Sequence, residues 1–178
     1  MKPRILILVC SLFVGSGLAQ AQSRPEPTTR AVDRIQKKIR RELVTLPFLG
    51  VFDNLAYQVN GYDVTLLGQV TRPALKSDAE NVVKGIEGVE HINNKIEVLP
   101  PSPFDDDLRL RLFRAIYGGA PLDRYSLGVN KPIRIVVNQG HVILEGVVDS
   151  ETDKNLASLR ANGVSDVFSI TNNLQVAK

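Results

Sequence analysis

Four cations recur at helical spacing near the start of the chain: Arg34, Lys37, Lys38 and Arg41. At about 100° per residue they share one side of a helix, opposite Ile35, Ile39 and Leu43. Such a face attracts anionic headgroups, at ~1 kcal/mol per residue near a charged bilayer. A merely solvated helix surface has the same pattern. A second stretch places Leu108, Leu112, Ala115 and Ile116 on one stripe and Leu110, Phe113 and Tyr117 on the other side, with Arg109, Arg111 and Arg114 between. The Leu110/Phe113/Tyr117 stripe fits insertion into lipid, at roughly 1.5–3 kcal/mol for each fully buried large apolar side chain. It fits equally a patch that packs against the other half of the chain.

The remaining candidates for chemistry are thin. Outside the leader there is no cysteine, and His91 and His141 have no second histidine or cysteine at metal-ligand spacing. They read as an exposed strand residue and a hairpin-tip residue. Asp105, Asp106 and Asp107 read as a solvated cap at a helix start, since no glycine-punctuated calcium loop follows. Gly85-Ile86-Glu87-Gly88 has the spacing of a nucleic-acid backbone clamp but carries a glutamate and leads into a strand, so it reads as a turn. No nucleophile elbow, P-loop or dinucleotide fingerprint is present. The sequence nominates no catalytic, cofactor-binding or metal-binding residue, and an enzyme is not expected.

The ends and the charge narrow the setting. Lys2 and Arg4 precede an apolar run from Ile5 to Val14, followed by Ala19 and Ala21 at small-residue cleavage positions. This reads as a secretory signal peptide over residues 1–21, too short in its apolar core to span a bilayer. Cys10 sits within the apolar run and does not make a lipoprotein signal. Cleavage removes two of the 22 basic residues and none of the 19 acids, leaving a net charge of +1. Nucleic-acid binding therefore gains no support from the basic whole-chain balance. The charge that remains is local: residues 22–50 carry +4 and the rest of the mature chain −3.

The elements that position these faces occur twice. Val59, Val64, Leu66, Gly68 and Val70 recur 78 residues on as Val137, Val142, Leu144, Gly146 and Val148. Lys76, Ala79, Val89, Ile92, Asn94 and Val98 likewise return as Lys154, Ala157, Val167, Ile170, Asn172 and Val176. Each copy opens with a helix: Val32, Ile35, Ile39, Leu43 and Leu46 in the first, Leu108 to Ile116 in the second. Two strands follow, Leu55–Val59 with Val64–Gln69 and Ile133–Val137 with Val142–Val147, joined by Asn60-Gly61 and around Asn138-Gln139-Gly140. A helix opened by Pro73 carries Leu75, Ala79, Val82 and Val83; its counterpart from near Ser150 carries Leu156, Ala157 and Leu159, with Gly163 as its C′ residue. A third strand closes each unit, Glu90–Leu99 and Val167–Ala177. Gly68 and Gly146 mark close backbone approach.

The order predicts an α+β fold of two αββαβ modules, each a three-stranded mixed sheet with two helices on one face. The predicted division is a segment 22–30, a module over 31–99, a Pro-rich linker 100–103 and a module over 104–178. Each module has about 70 residues, near the lower end of what folds alone, so the two are expected to dock.

The pattern V-x-N, V-x-L-x-G-x-V, a helix, then G-V-x-x-I-x-N-x-I-x-V (Gly88 to Val98) resembles the BON domain (bacterial OsmY and nodulation). Val167, Ile170, Asn172, Leu174 and Val176 repeat the tail in register. The second copy departs in its longer loop, Gly118–Lys131, and in a Gly163-Val164 pair three residues upstream of the mapped position. The resemblance implies a tandem-BON protein similar to the osmotically inducible periplasmic proteins: non-catalytic, soluble, exported, and associated with phospholipid surfaces, envelope integrity or osmotic stress. It brings no catalytic residue, cofactor or metal. The expected partner is an anionic phospholipid surface or an envelope protein, met through Arg34, Lys37, Lys38, Arg41, Leu110, Phe113 and Tyr117. The alternative is a periplasmic protein-interaction adaptor or chaperone-like module that uses sheet edges and the Gly118–Lys131 loop, without lipid contact.

Overall fold

A computed structural model describes residues 28–128 and 130–177. The expected signal peptide over residues 1–21, with Cys10, and residues 22–27 lie outside the described residues. The first unit runs α1 (Thr29–Val44), β1 (Asn54–Asn60), β2 (Asp63–Val70), α2 (Pro73–Lys84), β3 (His91–Asn94) and β4 (Glu97–Val98). The second repeats it as α3 (Pro103–Tyr117), β5 (Ile133–Asn138), β6 (His141–Val148), α4 (Glu151–Asn162), β7 (Ser169–Asn172) and β8 (Gln175–Val176), with a 3₁₀ turn at Leu122–Ser126 before β5.

In each sheet the hairpin is antiparallel, β1 with β2 and β5 with β6, and the returning strand lies parallel to the central one. The helices bury one stripe apiece. Ile35, Ile39 and Leu43 of α1 and Leu75, Ala79 and Val83 of α2 close over Val64, Leu66 and Val70. Leu108, Leu112 and Ile116 do the same in unit 2 over Val142, Leu144 and Val148. The α+β architecture of two αββαβ modules thus follows the repeat. On α4 the apolar residues mislead: Leu159 is 69% exposed, while Ala157 and Ala161, one helical turn apart, are buried. Gly163 occupies the place of Gly85, with right-handed backbone at φ −78°. The left-handed position of Gly88 (φ 96°) falls in unit 2 to Asp166 (φ 69°).

Each third strand is broken rather than continuous. The Asn94 carboxamide accepts the Ile96 N–H at 3.2 Å and donates to the Lys76 carbonyl at 3.0 Å. Asn172 repeats both bonds, to Leu174 N–H at 3.2 Å and to the Lys154 carbonyl at 2.9 Å. A side chain that bonds its own backbone two residues on interrupts a ladder. Here it also turns Ile96 and Leu174 into the core and latches the strand to the helix above it. The echo of Lys76 and Asn94 is therefore a structural one. Asn172→Ala should lower the stability of unit 2 by ~1–3 kcal/mol, because it strands a part-buried donor and acceptor. Chemical denaturation reads the change; a loss below ~0.5 kcal/mol would mean that the latch is not holding the strand.

The two units touch through the segment before β1. Asp53, 2% exposed, accepts the N–H groups of Gly50 and Thr71 and the Thr71 hydroxyl, at 2.7–2.8 Å, and so folds the segment into a tight turn. That turn reaches the edge of β5. The Ile135 N–H donates to the Val51 carbonyl at 2.9 Å, the Arg134 guanidinium to the Gly50 carbonyl at 2.8 Å, and the Phe52 ring meets Phe113 edge-on at 6.3 Å.

Candidate functional site

The inward register of Ile35, Ile39 and Leu43 forces Arg34, Lys37, Lys38 and Arg41 to the outside of α1, and all four are exposed. Among the described residues none of the four is paired with a carboxylate. Lys38 and Arg41 also rim a concavity of about 440 Å³ between α1 and the end of α2, walled by Asn81, Val82 and Ile86. Just beyond α1, Phe48 projects with 73% of its surface exposed, the Arg72 guanidinium 5.3 Å from its ring centre.

The matching face of α3 carries fewer cations, and one of them is paired. Aligning Leu108, Leu112 and Ile116 with the α1 core stripe puts Asp107, Leu110, Arg111 and Arg114 outside. Arg111 is held by Asp107 at 2.8 Å, Asp166 at 3.1 Å and the Ser165 carbonyl at 2.8 Å. Leu110, Phe113 and Tyr117 do not share one exposed stripe. Leu110 is 48% exposed, whereas Phe113 is half-buried, against Phe52 and the Tyr117 ring. Tyr117 is in the core at 4% exposure, its hydroxyl donating to the Ile133 carbonyl at 2.6 Å. Burial holds its phenol above the ordinary range.

Of the acidic triplet, Asp106 and Asp107 are exposed in the opening turns of α3 as expected, but Asp105 is not. Ser102 caps α3, accepting the Asp105 N–H at 3.2 Å. Asp105 is 1% exposed and takes the N–H groups of Gln139 and Gly140, each at 2.9 Å, in the β5–β6 turn. Arg109, also buried, is paired with Asp106 and donates to the Val137 carbonyl at 2.6 Å. The first two turns of α3 thus grip the hairpin. His91 is an exposed strand residue, and His141 follows the hairpin turn with Nδ1 2.7 Å from the Ser169 hydroxyl. Among the described residues no group of His, Cys, Asp and Glu is placed to hold a metal. Gly85–Gly88 is a helix-to-strand turn with Ile86 in the core, so it presents no clamp.

Sequence reasoning missed the anchor of the Gly118–Lys131 loop. Asp153 is 2% exposed, and its Oδ2 accepts from Arg124 at 2.6 Å, Ser150 at 2.7 Å and Tyr125 at 3.0 Å. The Ser150-x-x-Asp153 spacing signalled a helix cap, but nothing local marked Arg124 and Tyr125 as its partners. Burial works against the carboxylate. The hydroxyls of Ser150 and Tyr125, together with Arg124, overcome it and leave the group below its ordinary value of 3.8. A depressed pKa adds stability that is present above the ordinary value and lost as the pH falls through the folded one. Unit 2 should therefore lose melting temperature between about pH 5 and pH 2. Asp153→Asn should melt lower at neutral pH and show a smaller drop over that window; an unchanged drop would remove Asp153 as the cause.

The family model described as the BON domain matches residues 31–100 and 126–178. The unmatched stretch between them holds α3, with its buried Asp105 and Arg109. No curated protein matches the chain. Two solved structures of CdsD from Chlamydia trachomatis, a structural protein of the type III secretion system, are each 12% identical with a TM-score of 0.29. One, of the C-terminal domain, covers 80% of this chain and 96% of its own; the other covers 82% and 94%. At that score the likeness carries no argument.

Proposed function

Because the chain belongs to the BON domain family, we propose that it is a non-enzymatic exported envelope protein whose first unit binds anionic phospholipid surfaces. On this reading it contributes to envelope integrity or to the response to osmotic stress. BON domains are in general non-catalytic, and proteins that carry them are typically periplasmic or envelope-associated. Among the described residues no helix is long and apolar enough to cross a membrane.

One observation carries the lipid reading. Arg34, Lys37, Lys38 and Arg41 stand exposed on a single helix face, and among the described residues no carboxylate pairs with them. An anionic leaflet supplies the missing charge, at ~1 kcal/mol per cation within a Debye length of the surface. Phe48 adds an apolar side chain at the end of the same helix. The Leu110/Phe113/Tyr117 contribution shrinks to Leu110, because the other two side chains are committed to packing.

Co-sedimentation of the mature protein with vesicles tests the proposal. Binding is expected to vesicles rich in phosphatidylglycerol and not to pure phosphatidylcholine, and to fall away by ~0.5 M salt as screening shortens to a few ångströms. Failure to sediment with the anionic vesicles at low salt, or equal sedimentation with both kinds, would sink it.

A further inference from the structure

Unit 1 is electrically lopsided. Its surplus cations lie on α1, which covers the β1 side of the sheet, while α2 covers the β3 side. On the α2 side the flank carries Asp63, Glu80, Glu90 and Glu97, with Lys84 and Lys95 among them.

That flank ends in an open strand edge. β3 pairs with β2 only, so its other edge has no strand partner among the described residues. The Glu90 N–H donates to the Tyr62 carbonyl, on the β2 side. Alternation along the strand then turns the backbone N–H and C=O of His91 and Asn93 outward. A hollow flanks the edge on each face. One, of about 250 Å³, lies between α2 and β3, with Val89 and Ile92 as its apolar wall and Glu80, Lys84 and Glu90 at its rim. The other, of about 370 Å³, lies on the uncovered face of the sheet, where Asp63 is lined up with neutral polar side chains and no lysine or arginine. His91 borders both.

An added strand sends successive side chains to opposite faces, so it would fill both hollows at once while its backbone bonds His91 and Asn93. We propose that the β3 edge of unit 1 is a docking strand for an extended peptide with alternating apolar and basic side chains. The apolar ones face Val89 and Ile92, and the basic ones face Asp63. The break after Asn94 limits the docked stretch to about four residues, which makes the contact weak and exchangeable. Unit 2 is built otherwise at the same place: Phe168 stands where Glu90 does, stacked on Phe104 at 6.3 Å. This inference does not depend on lipid binding, which uses the opposite flank.

The test is a nuclear magnetic resonance titration of the full mature chain with a capped hexapeptide of alternating lysine and valine. Amide shifts should centre on His91–Asn94, and a glutamate–valine peptide should bind at least about tenfold more weakly. Asn93→Pro removes an outward donor at a position where an edge strand tolerates proline, and should also weaken binding by about tenfold or more. The same peptide N-methylated at alternate residues asks the question from the ligand side should that variant fold poorly, and it should not bind. Shifts centred on α1 or on unit 2, equal binding of both peptides, or undiminished binding by the N-methylated peptide would each overturn the proposal.

Discussion

Gly146→Ala is expected to unfold the second unit at room temperature. Gly146 lies within β6 at φ 122°, and a Cβ built there would stand 1.8 Å from the Pro132 carbonyl oxygen. Backbone, not a movable side chain, blocks the space, so relief requires parting β5 from β6. The left-handed φ alone costs ~1–3 kcal/mol for a residue with a Cβ, and the clash adds to it. A total above ~4 kcal/mol is a large share of what a unit of this size has. A Cβ built on Gly68 would stand 2.1 Å from the Asn54 carbonyl oxygen, so Gly68→Ala should behave alike. Gly163→Ala is the control: its φ is −78°, and the nearest atom to a new Cβ is 3.5 Å away. Circular dichroism of the three variants decides the matter. A folded Gly146→Ala protein with native melting would show that the strand crossing can yield.

Reversing the α1 face should be the most damaging change to membrane binding. Arg34, Lys37, Lys38 and Arg41→Glu together remove four cations and install four anions. At ~1 kcal/mol each, losing the attraction alone amounts to about a thousandfold in partitioning, before any repulsion. All four positions are exposed, so the fold should be untouched. Circular dichroism alongside vesicle sedimentation checks that point. The corresponding change on α3, Arg111 and Arg114→Glu, should have a far smaller effect, because Arg111 is already spent on Asp107 and Asp166. Equal losses from the two helices would mean that total charge, not the α1 face, governs binding.

The frame of this molecule was readable because it is written twice. A fixed offset of 78 residues aligned the hairpins, the second helices and the strand glycines, and periodicity alone located the buried stripe of α1. What escaped reading depends on partners distant in sequence. A helical wheel places Phe113 and Tyr117 away from Leu112, but only β5 and the Phe52 turn decide that this flank is covered. Asp105 looked like a cap because caps are local; its actual acceptor role depends on a hairpin more than thirty residues away. Leu159 was assigned inward by its chemistry, against a helical register that favours Ala157 and Ala161. The basic face survived translation intact, since exposure requires nothing from elsewhere in the chain.

The turn at Gly50–Asp53 carries a consequence for how the duplication can be taken apart. By sequence the seam lies at the prolines, Pro100 to Pro103, and a fragment starting there would contain every residue of the second repeat. It would also leave Ile133-Arg134-Ile135-Val136-Val137 as a bare outer strand, because the carbonyls that meet Ile135 and Arg134 belong to the first repeat. An uncovered apolar strand of that kind recruits another copy of itself. The first repeat thus covers the outer strand of the second, and the two halves are better regarded as host and guard than as interchangeable beads.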